Sequence, residues 1–193
     1  MSCAIVGRKR SERDRASETF AASCKSVGDA EKHAAIARLA EAAEVDLPAE
    51  PPERCPSMSW SQLRACEGME MTFGPHTVTH PILSQTSAEL SRREIVDSWA
   101  RLKAEARSPV PVFAYPNGLR GDFGEREIDV LRGEGFLGAV MAVSGYNSAA
   151  DFQARDEARF KLRRFGRANE LSYVTRCVTG VERLRKIMLA PAL

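Results

Sequence analysis

The stretch Phe136–Val143 constrains the fold more than any other part of this sequence. It is almost continuously apolar and lacks the polar alternation of a strand with one face in water. Such a run is typical of a parallel strand that is covered on both faces. Two further apolar segments, 69–73 and 110–115, precede it, and helical patterns separate all three. Strands that alternate with helices predict an α/β fold with parallel strands.

The helical patterns have recognisable ends. Ser59 is placed to cap a short helix that Gly68 would end, and Ser87 is placed to cap a long outer helix. Along the long helix, charged residues that include Glu94 surround one apolar stripe, which predicts that a single face is buried. The stripe consists of Leu90, Ile95, Trp99 and Leu102. The remaining predicted elements are a helix over 124–134, a short strand around 160–165, and helical segments near 170–177 and 180–189.

The N-terminal part of the chain has a different character. Residues 1–29 contain a mixed charge run with a basic excess and predict a poorly ordered, charged leader. Residues 30–57 predict an amphipathic helix, roughly 30–44, followed by a proline-rich linker. The predicted globular domain is 58–193. We do not expect the leader to bind nucleic acid, because acidic residues interrupt the basic run and no aromatic residues are interleaved with it.

Composition excludes several classes of protein. At 193 residues and 44% hydrophobic residues, the chain can bury one domain-sized core. Its net charge of +2 does not indicate nucleic acid or an anionic membrane as a partner. No apolar stretch approaches the length of a membrane span, and no secretory signal is recognised, so the chain as written is expected in the cytoplasm. Five cysteines without a Cys-x-x-Cys pair indicate neither a disulfide framework nor a thiolate zinc site.

Two of the three histidines, His76 and His80, follow the predicted strand 69–73 and stand four residues apart. On a helical turn, this spacing would place both imidazoles on one side, where they could reach one metal ion. The alternative is a pair of solvated or capping histidines, because two imidazoles make only half a metal site. The third histidine, His33, is interpreted as a surface residue of the N-terminal helix.

A second candidate site follows the strand at 110–115. The turn Tyr115-Pro116-Asn117-Gly118 would expose backbone N–H groups at the carboxyl end of a strand, where sites collect in α/β folds. A metal beside backbone donors is suited to polarising a carbonyl and holding an oxyanion, which suggests hydrolysis of an amide or ester. The alternative is an ordinary turn that connects a strand to a helix and has no role in a site.

Five segments of the chain match one known family in their residue patterns and in their order along the chain. They are Met58–Leu63, Gly68–Met71, His76–Ser84, Ser91–Ile95 and Phe113–Gly118. Together they resemble the polysaccharide deacetylases, also called NodB-homology or carbohydrate esterase family 4 proteins. The resemblance covers roughly 58–165 and implies a partial or distorted (β/α) barrel, here preceded by an N-terminal helical arm. It also implies metal-dependent removal of acetyl groups from the sugars of a polysaccharide or oligosaccharide.

The resemblance implies roles for individual residues. His76 and His80 correspond to two metal ligands of the family, and zinc is the expected metal. The backbone N–H of Asn117 corresponds to a donor to the tetrahedral oxyanion. The other residues of that turn are expected to contact substrate: Tyr115, Pro116 and Gly118.

The departures from the family pattern concern catalysis. The family's paired aspartates, which supply the general base and a third metal ligand, are not found, and no histidine follows His80 to act as general acid. None of the upstream aspartates follows an apolar strand: Asp14, Asp29 and Asp46. Downstream, Asp122 is the nearest carboxylate, but no family pattern places a ligand there. The third ligand therefore stays unidentified.

These departures predict a truncated or divergent deacetylase that is weakly active or inactive, since one general base is worth ~10²–10⁴ in rate. If a front portion of the natural protein is missing, an extracytoplasmic location is the alternative to the cytoplasm. The alternative function is a non-catalytic remnant of the fold that binds a sugar or a partner.

Overall fold

A computed structural model describes residues 10–50, 56–153, 157–166 and 170–189, in which helices surround a small parallel sheet. The helices are α1 (Arg10–Cys24), α2 (Asp29–Ala42), α3 (Trp60–Glu67), α4 (Ala88–Glu105), α5 (Glu125–Gly133), α6 (Ala149–Gln153), α7 (Leu171–Val178) and α8 (Val181–Leu189). The strands are β1 (Val112–Ala114) and β2 (Gly138–Val140), which pair in parallel with Phe113 opposite Ala139. Short 3₁₀ helices cover Leu83–Gln85 and Glu157–Phe160. The predicted parallel pairing is confirmed.

Irregular segments extend the sheet on both sides. The Ala114 N–H of β1 donates to the Pro75 carbonyl at 3.1 Å, and the Met141 N–H after β2 donates to the Leu162 carbonyl at 2.7 Å. Four chain segments therefore lie side by side, and their carboxyl ends meet at one edge, as in any parallel sheet. A complete barrel is not seen in the described part of the chain, so the (β/α) barrel stays a prediction.

The core lies between this sheet and the helices α4 and α5. Ile95, Phe113 and Ile128 are fully buried. The Phe136 ring packs against Phe113 with 6.0 Å between ring centroids, and against Trp99 at 5.3 Å. The predicted buried stripe of α4 is confirmed at Ile95, Trp99 and Leu102, while Leu90 is half-buried. Burying such side chains contributes about 1.5–3 kcal/mol each, so this layer holds the sheet in place.

The two predicted N-terminal helix caps, Ser59 and Ser87, are confirmed. The Ser59 hydroxyl accepts the Gln62 N–H at 3.2 Å, and the Gln62 side chain accepts the Ser59 N–H at 2.8 Å, which is a capping box. The Ser87 hydroxyl accepts the Leu90 N–H at 3.2 Å and caps α4. No helix of the described residues is long and apolar enough to cross a membrane.

Two segments differ from the expectations. Residues 10–24, expected to belong to a poorly ordered leader, form α1, although none of its side chains is buried; residues 1–9 of that leader lie outside the described residues. Part of the predicted linker, 51–55, lies outside them too. Met69 and Met71, expected in a buried strand, are 64% and 55% exposed, because their segment is not a strand: both N–H groups donate to the Cys66 carbonyl at the end of α3.

An ion pair with a buried carboxylate ties α5 to α4 and to the segment that precedes α4. The Glu127 carboxylate is 2% exposed and accepts hydrogen bonds from the Ser91 hydroxyl at 2.6 Å and the Gly124 N–H at 2.9 Å. Arg126 donates to Glu127 at 2.7 Å and to the Leu83 carbonyl at 2.8 Å. Burial alone would raise the pKa of Glu127, but these hydrogen bonds outweigh it, so the pKa lies below its usual value.

Replacing Glu127 with alanine should lower the free energy of unfolding by about 3 kcal/mol, because Arg126 and Ser91 would lose their buried partner. Urea denaturation of the variant and the wild type measures the difference. Glu125→Ala in the same helix is the matched control, because the Glu125 side chain is 55% exposed; its effect should stay within about 0.5 kcal/mol. Equal losses in the two variants would contradict the role of the buried pair.

Candidate functional site

An irregular loop, rather than a helical turn, brings the two predicted histidines together. The ring centroids of His76 and His80 are 4.8 Å apart, and the ring planes meet at 82°. Between them the chain takes an unusual course, since Thr77 and His80 have positive φ angles of 65° and 61°. This conformation is costly for any residue except glycine and most costly for a β-branched one such as threonine. The helical turn considered from the spacing is thus wrong, although the two rings do meet.

Glu94 of α4 holds the loop in this strained shape. Its carboxylate is 6% exposed, and one oxygen accepts the N–H groups of Val78 and Thr79 at 2.7 and 2.9 Å. The other oxygen accepts the Thr79 hydroxyl at 2.8 Å. Hydrogen bonds to a carboxylate are roughly twice as strong as those between neutral groups. Glu94 therefore fixes the loop 76–80, which we call the histidine loop. It was expected only as one of the charged residues of an outer helix.

A hydrogen bond to β1 selects the tautomer of His76. Its Nδ1 lies 2.6 Å from the Ala114 carbonyl oxygen, so Nδ1 carries the hydrogen and donates, and Nε2 keeps a lone pair. The surrounding protein removes water from the ring and lowers the pKa of His76; the Ala114 hydrogen bond opposes this, and the charges of His80 and Arg164 add to the lowering. His76 is therefore favoured in the neutral form that a metal requires.

Asp122 orders the turn that follows β1. Asn117 and Gly118 have φ angles of 56° and 68°, so two successive residues are left-handed. The Asp122 carboxylate accepts the Asn117 side-chain amide at 2.7 Å and the Leu119 N–H at 2.6 Å. In the described part of the chain, no hydrogen-bond acceptor is paired with the backbone N–H of Asn117. Asp122 thus acts as a structural residue of the turn that the sequence singled out.

The other residues of this turn support it from inside the fold. Tyr115 is fully buried and stacks on Phe123 with 3.6 Å between ring centroids, and its hydroxyl has no hydrogen-bond partner among the described residues. Burial raises the pKa of the Tyr115 hydroxyl far above its usual value. Pro116 and Gly118 are buried as well. Contact of these three residues with substrate stays a prediction.

A pocket of about 250 Å³ opens beside His80 and Asn117. The arm formed by α1 and α2 makes its opposite wall, and the residues of that wall are Cys24, Lys25, Val27, Asp29 and Lys32. The Gln85 side-chain amide donates to the Lys25 carbonyl at 2.6 Å and joins the arm to the segment after His80. That the arm borders the candidate site could not be predicted, because no motif of the arm has the pattern of a ligand or a catalytic residue.

The two histidines supply only part of the ligands that a metal site needs. His76 and His80 offer two imidazoles, but no third histidine, cysteine or carboxylate of the described residues completes a group of three. Asp29 contributes a carboxylate to the pocket wall, but it pairs with Lys32 and, at 3.2 Å, with His33. Two neutral imidazoles alone bind a divalent ion weakly.

Comparison with known proteins gives two findings. A family model described as polysaccharide deacetylase matches residues 24–130, which is more than half of the chain and includes α2, the histidine loop and the turn after β1. The solved structure of Streptococcus pyogenes deacetylase PplD in complex with acetate is similar, with a TM-score of 0.50 and 23% sequence identity over 58% of this chain and 46% of that chain. This chain therefore spans about half the length of that protein, and the likeness concerns the fold. No curated protein matches the chain.

We expect Glu94→Gln to release the histidine loop, since an amide cannot accept all three hydrogen bonds that the carboxylate accepts. The free energy of unfolding should fall by about 1.5–3 kcal/mol, and the amide hydrogens of Val78 and Thr79 should exchange faster. Native-state hydrogen exchange followed by NMR measures both effects. Glu89→Gln in the exposed first turn of α4 is the control. Unchanged exchange at Val78 and Thr79 would show that Glu94 does not hold the loop.

Proposed function

This chain belongs to the polysaccharide deacetylase family, and from that premise we propose that it is a hydrolase that releases acetate from acetylated amino sugars of a polysaccharide. The observation that supports this proposal best is that His80 and Asn117 line a single pocket at the carboxyl edge of the sheet. The ring of His76 packs edge-on against that of His80. Catalytic groups of parallel α/β folds collect at this edge.

The two histidines would hold a divalent metal, for which we propose zinc. When bound, such an ion supplies a Lewis acid for the acetyl carbonyl. The protein's own contribution is orientation: the Ala114 carbonyl fixes the tautomer and ring plane of His76, and Glu94 fixes the loop between the two histidines. Outer partners of this kind change metal affinity by about 10–100-fold when they are removed.

The backbone N–H of Asn117 would bind the acyl oxygen as negative charge develops on it. The donor is held in place before substrate arrives, because the turn is fixed by two left-handed residues and by the Asp122 carboxylate. A donor of this type costs no rearrangement during the reaction, and its loss typically lowers kcat by about 10²–10³.

The size of the pocket supports a small reacting group. Its volume of about 250 Å³ suits an acyl group and part of one sugar rather than a longer stretch of polymer. The similar Streptococcus pyogenes deacetylase was solved with acetate, which is the product of the reaction proposed here.

We propose that this activity is low. No third metal-binding group of the described residues accompanies the histidine pair, and a missing general base costs ~10²–10⁴ in rate. The same observation favours the second candidate function, a non-catalytic form of the fold that binds an acetylated sugar.

The chain should bind one Zn²⁺ or Co²⁺, and His76→Ala and His80→Ala should each weaken binding by more than about 100-fold because each removes one of two identified ligands. Isothermal titration calorimetry and the visible spectrum of Co²⁺ measure this. His33→Ala is the matched control, since His33 lies in α2 and outside the loop. A wild-type chain that binds no metal, or a His33→Ala variant that is equally weakened, would show that the metal proposal is wrong.

Acetate should be released when the chain is incubated with oligomers of N-acetylglucosamine, and a chelator or the His76→Ala substitution should abolish the release. A coupled enzymatic assay for acetate follows the reaction, with the His33→Ala variant as the control for loss of an unrelated histidine. If the wild type releases no acetate but retains the oligomers in a binding assay, the non-catalytic alternative replaces the enzyme.

A further inference from the structure

A second pocket, of about 440 Å³, opens at the carboxyl edge of the sheet. The loop between β1 and α5 contributes to both pockets: Asn117 lines the first, whereas Arg120 and Gly121 line the second. Consecutive Cα atoms are about 3.8 Å apart, so the Cα atoms of Asn117 and Arg120 lie at most about 11 Å apart. A few linked sugars can cover this distance, so one oligosaccharide could occupy both pockets at once.

The part of this loop that carries Arg120 is anchored on both sides. The Asp122 carboxylate accepts the Leu119 N–H at 2.6 Å, and the Asp122 N–H donates to the Leu119 carbonyl at 3.2 Å. The Ala142 N–H, just after β2, donates to the Gly118 carbonyl at 2.8 Å. The backbone of Arg120 is therefore held at a fixed place relative to the sheet.

The floor of the second pocket is apolar. Phe123 and Met141 line it and are only 8% and 4% exposed. The half-buried ring of Tyr146 also lines it, and the Tyr146 hydroxyl donates to the Cys177 carbonyl at 3.0 Å, which fixes the ring. Because sugar rings carry C–H groups on their faces, aromatic and aliphatic side chains of this kind suit a sugar unit.

Three cations from two segments of the chain line the same pocket. Arg120 comes from the loop before α5, and Lys161 and Arg163 come from the extended segment that pairs with the end of β2. Lys161 and Arg163 are two residues apart, so they share one face of that segment. Lys161 pairs with Glu125 at 3.6 Å, which leaves the two arginines as the groups available to a ligand.

Little negative charge opposes the two arginines. In the described ranges of the chain, neither the Arg120 nor the Arg163 guanidinium takes part in an ion pair or a hydrogen bond. Asp151 is the one acid that the described residues contribute to the pocket wall. Its carboxylate accepts the Ser148 N–H at 2.6 Å and the Ser148 hydroxyl at 2.9 Å. A guanidinium offers a planar set of donors that matches a carboxylate or a phosphate, so an anion complements this pocket.

We propose that this second pocket, which we call the cation pocket, binds an anionic group of the polysaccharide whose acetylated sugar occupies the first pocket. The inference rests on the proposed function and names its substrate class: a polymer that carries carboxylates or phosphates on its sugars. Arg120 and Arg163 bind the anion, and Phe123 and Met141 pack against the ring that bears it. A neutral polymer would fill the first pocket but leave both guanidinium groups without a partner.

Isothermal titration calorimetry with oligomers of galacturonic acid tests anion binding without any turnover. We expect the chain to bind these oligomers at least about tenfold more tightly than their methyl esters, which have the same backbone and no charge. Binding should weaken as salt is added, because both arginines are exposed. Phosphorylated dextran oligomers of the same length replace the galacturonates in a second arm, and the tighter ligand identifies the anion.

A double variant with Arg120→Met and Arg163→Met removes both charges but keeps two long side chains. It should bind the better anionic oligomer at least about tenfold more weakly. A double variant with Arg93→Met and Arg107→Met is the matched control, because it removes the same charge from exposed residues that do not line the cation pocket. Its affinity should stay within about twofold of the wild type. Thermal melting checks that each variant is folded, and the methyl esters test the wild type without any substitution.

Acetate release from N-acetylglucosamine oligomers by the wild type separates this inference from the proposed function. If anionic oligomers bind through the two arginines but no acetate is released from any oligomer, the proposed function fails and the cation pocket stands. The inference is overturned if the wild type binds no anionic oligomer, binds the methyl esters equally well, or loses no affinity in the Arg120→Met and Arg163→Met variant. Tighter binding of single-stranded DNA than of either sugar anion would overturn it too.

Discussion

The hydrogen bonds that Val78 and Thr79 donate to the Glu94 carboxylate are the interaction on which the candidate site depends. Left-handed residues other than glycine cost about 1–3 kcal/mol each, and the loop contains Thr77 and His80 in this state. Hydrogen bonds to a charged group contribute about 1.5–3 kcal/mol each, and Glu94 accepts three of them. The balance favours the strained loop only while the carboxylate is present, so the packing of α4 on the sheet determines how the histidines meet.

Other carboxylates around the site also hold neighbouring backbone or side chains in place. Glu127 of α5 holds Arg126, which in turn binds the carbonyl of Leu83 just beyond the histidine loop. Asp122 orders the turn at Asn117, and Asp29 pairs with Lys32 and lies 3.2 Å from the ring of His33, both in its own helix. Because these acids are engaged by backbone or by other side chains, the histidine pair gains no acidic neighbour from them.

Local features of the sequence predicted local structure well. The caps at Ser59 and Ser87 and the buried stripe of α4 depend on residues within a few positions of one another, and each occurs as expected. The histidine pair could be found from spacing, but its loop conformation could not, because the group that imposes it is Glu94, in a different element. Exposure of Met69 and Met71 could not be predicted either, since an apolar run becomes a buried strand only if a distant segment pairs with it, and here the Met69 and Met71 N–H groups bond to the end of α3 instead.

The two walls of the pocket differ in how firmly they are held. The wall of His80 and Asn117 is fixed by the buried Glu94 carboxylate of α4, which packs in the core, and by the Asp122 carboxylate of the turn itself. The opposite wall belongs to the arm, of which α1 buries no side chain and α2 buries only Ala40. Elements with few buried contacts open at low free-energy cost, so the arm is the part that a polymer could displace without disturbing the histidines. The wall of His80 and Asn117 would then keep its geometry while the other wall adapts, as the proposed action on a small group within a polymer requires.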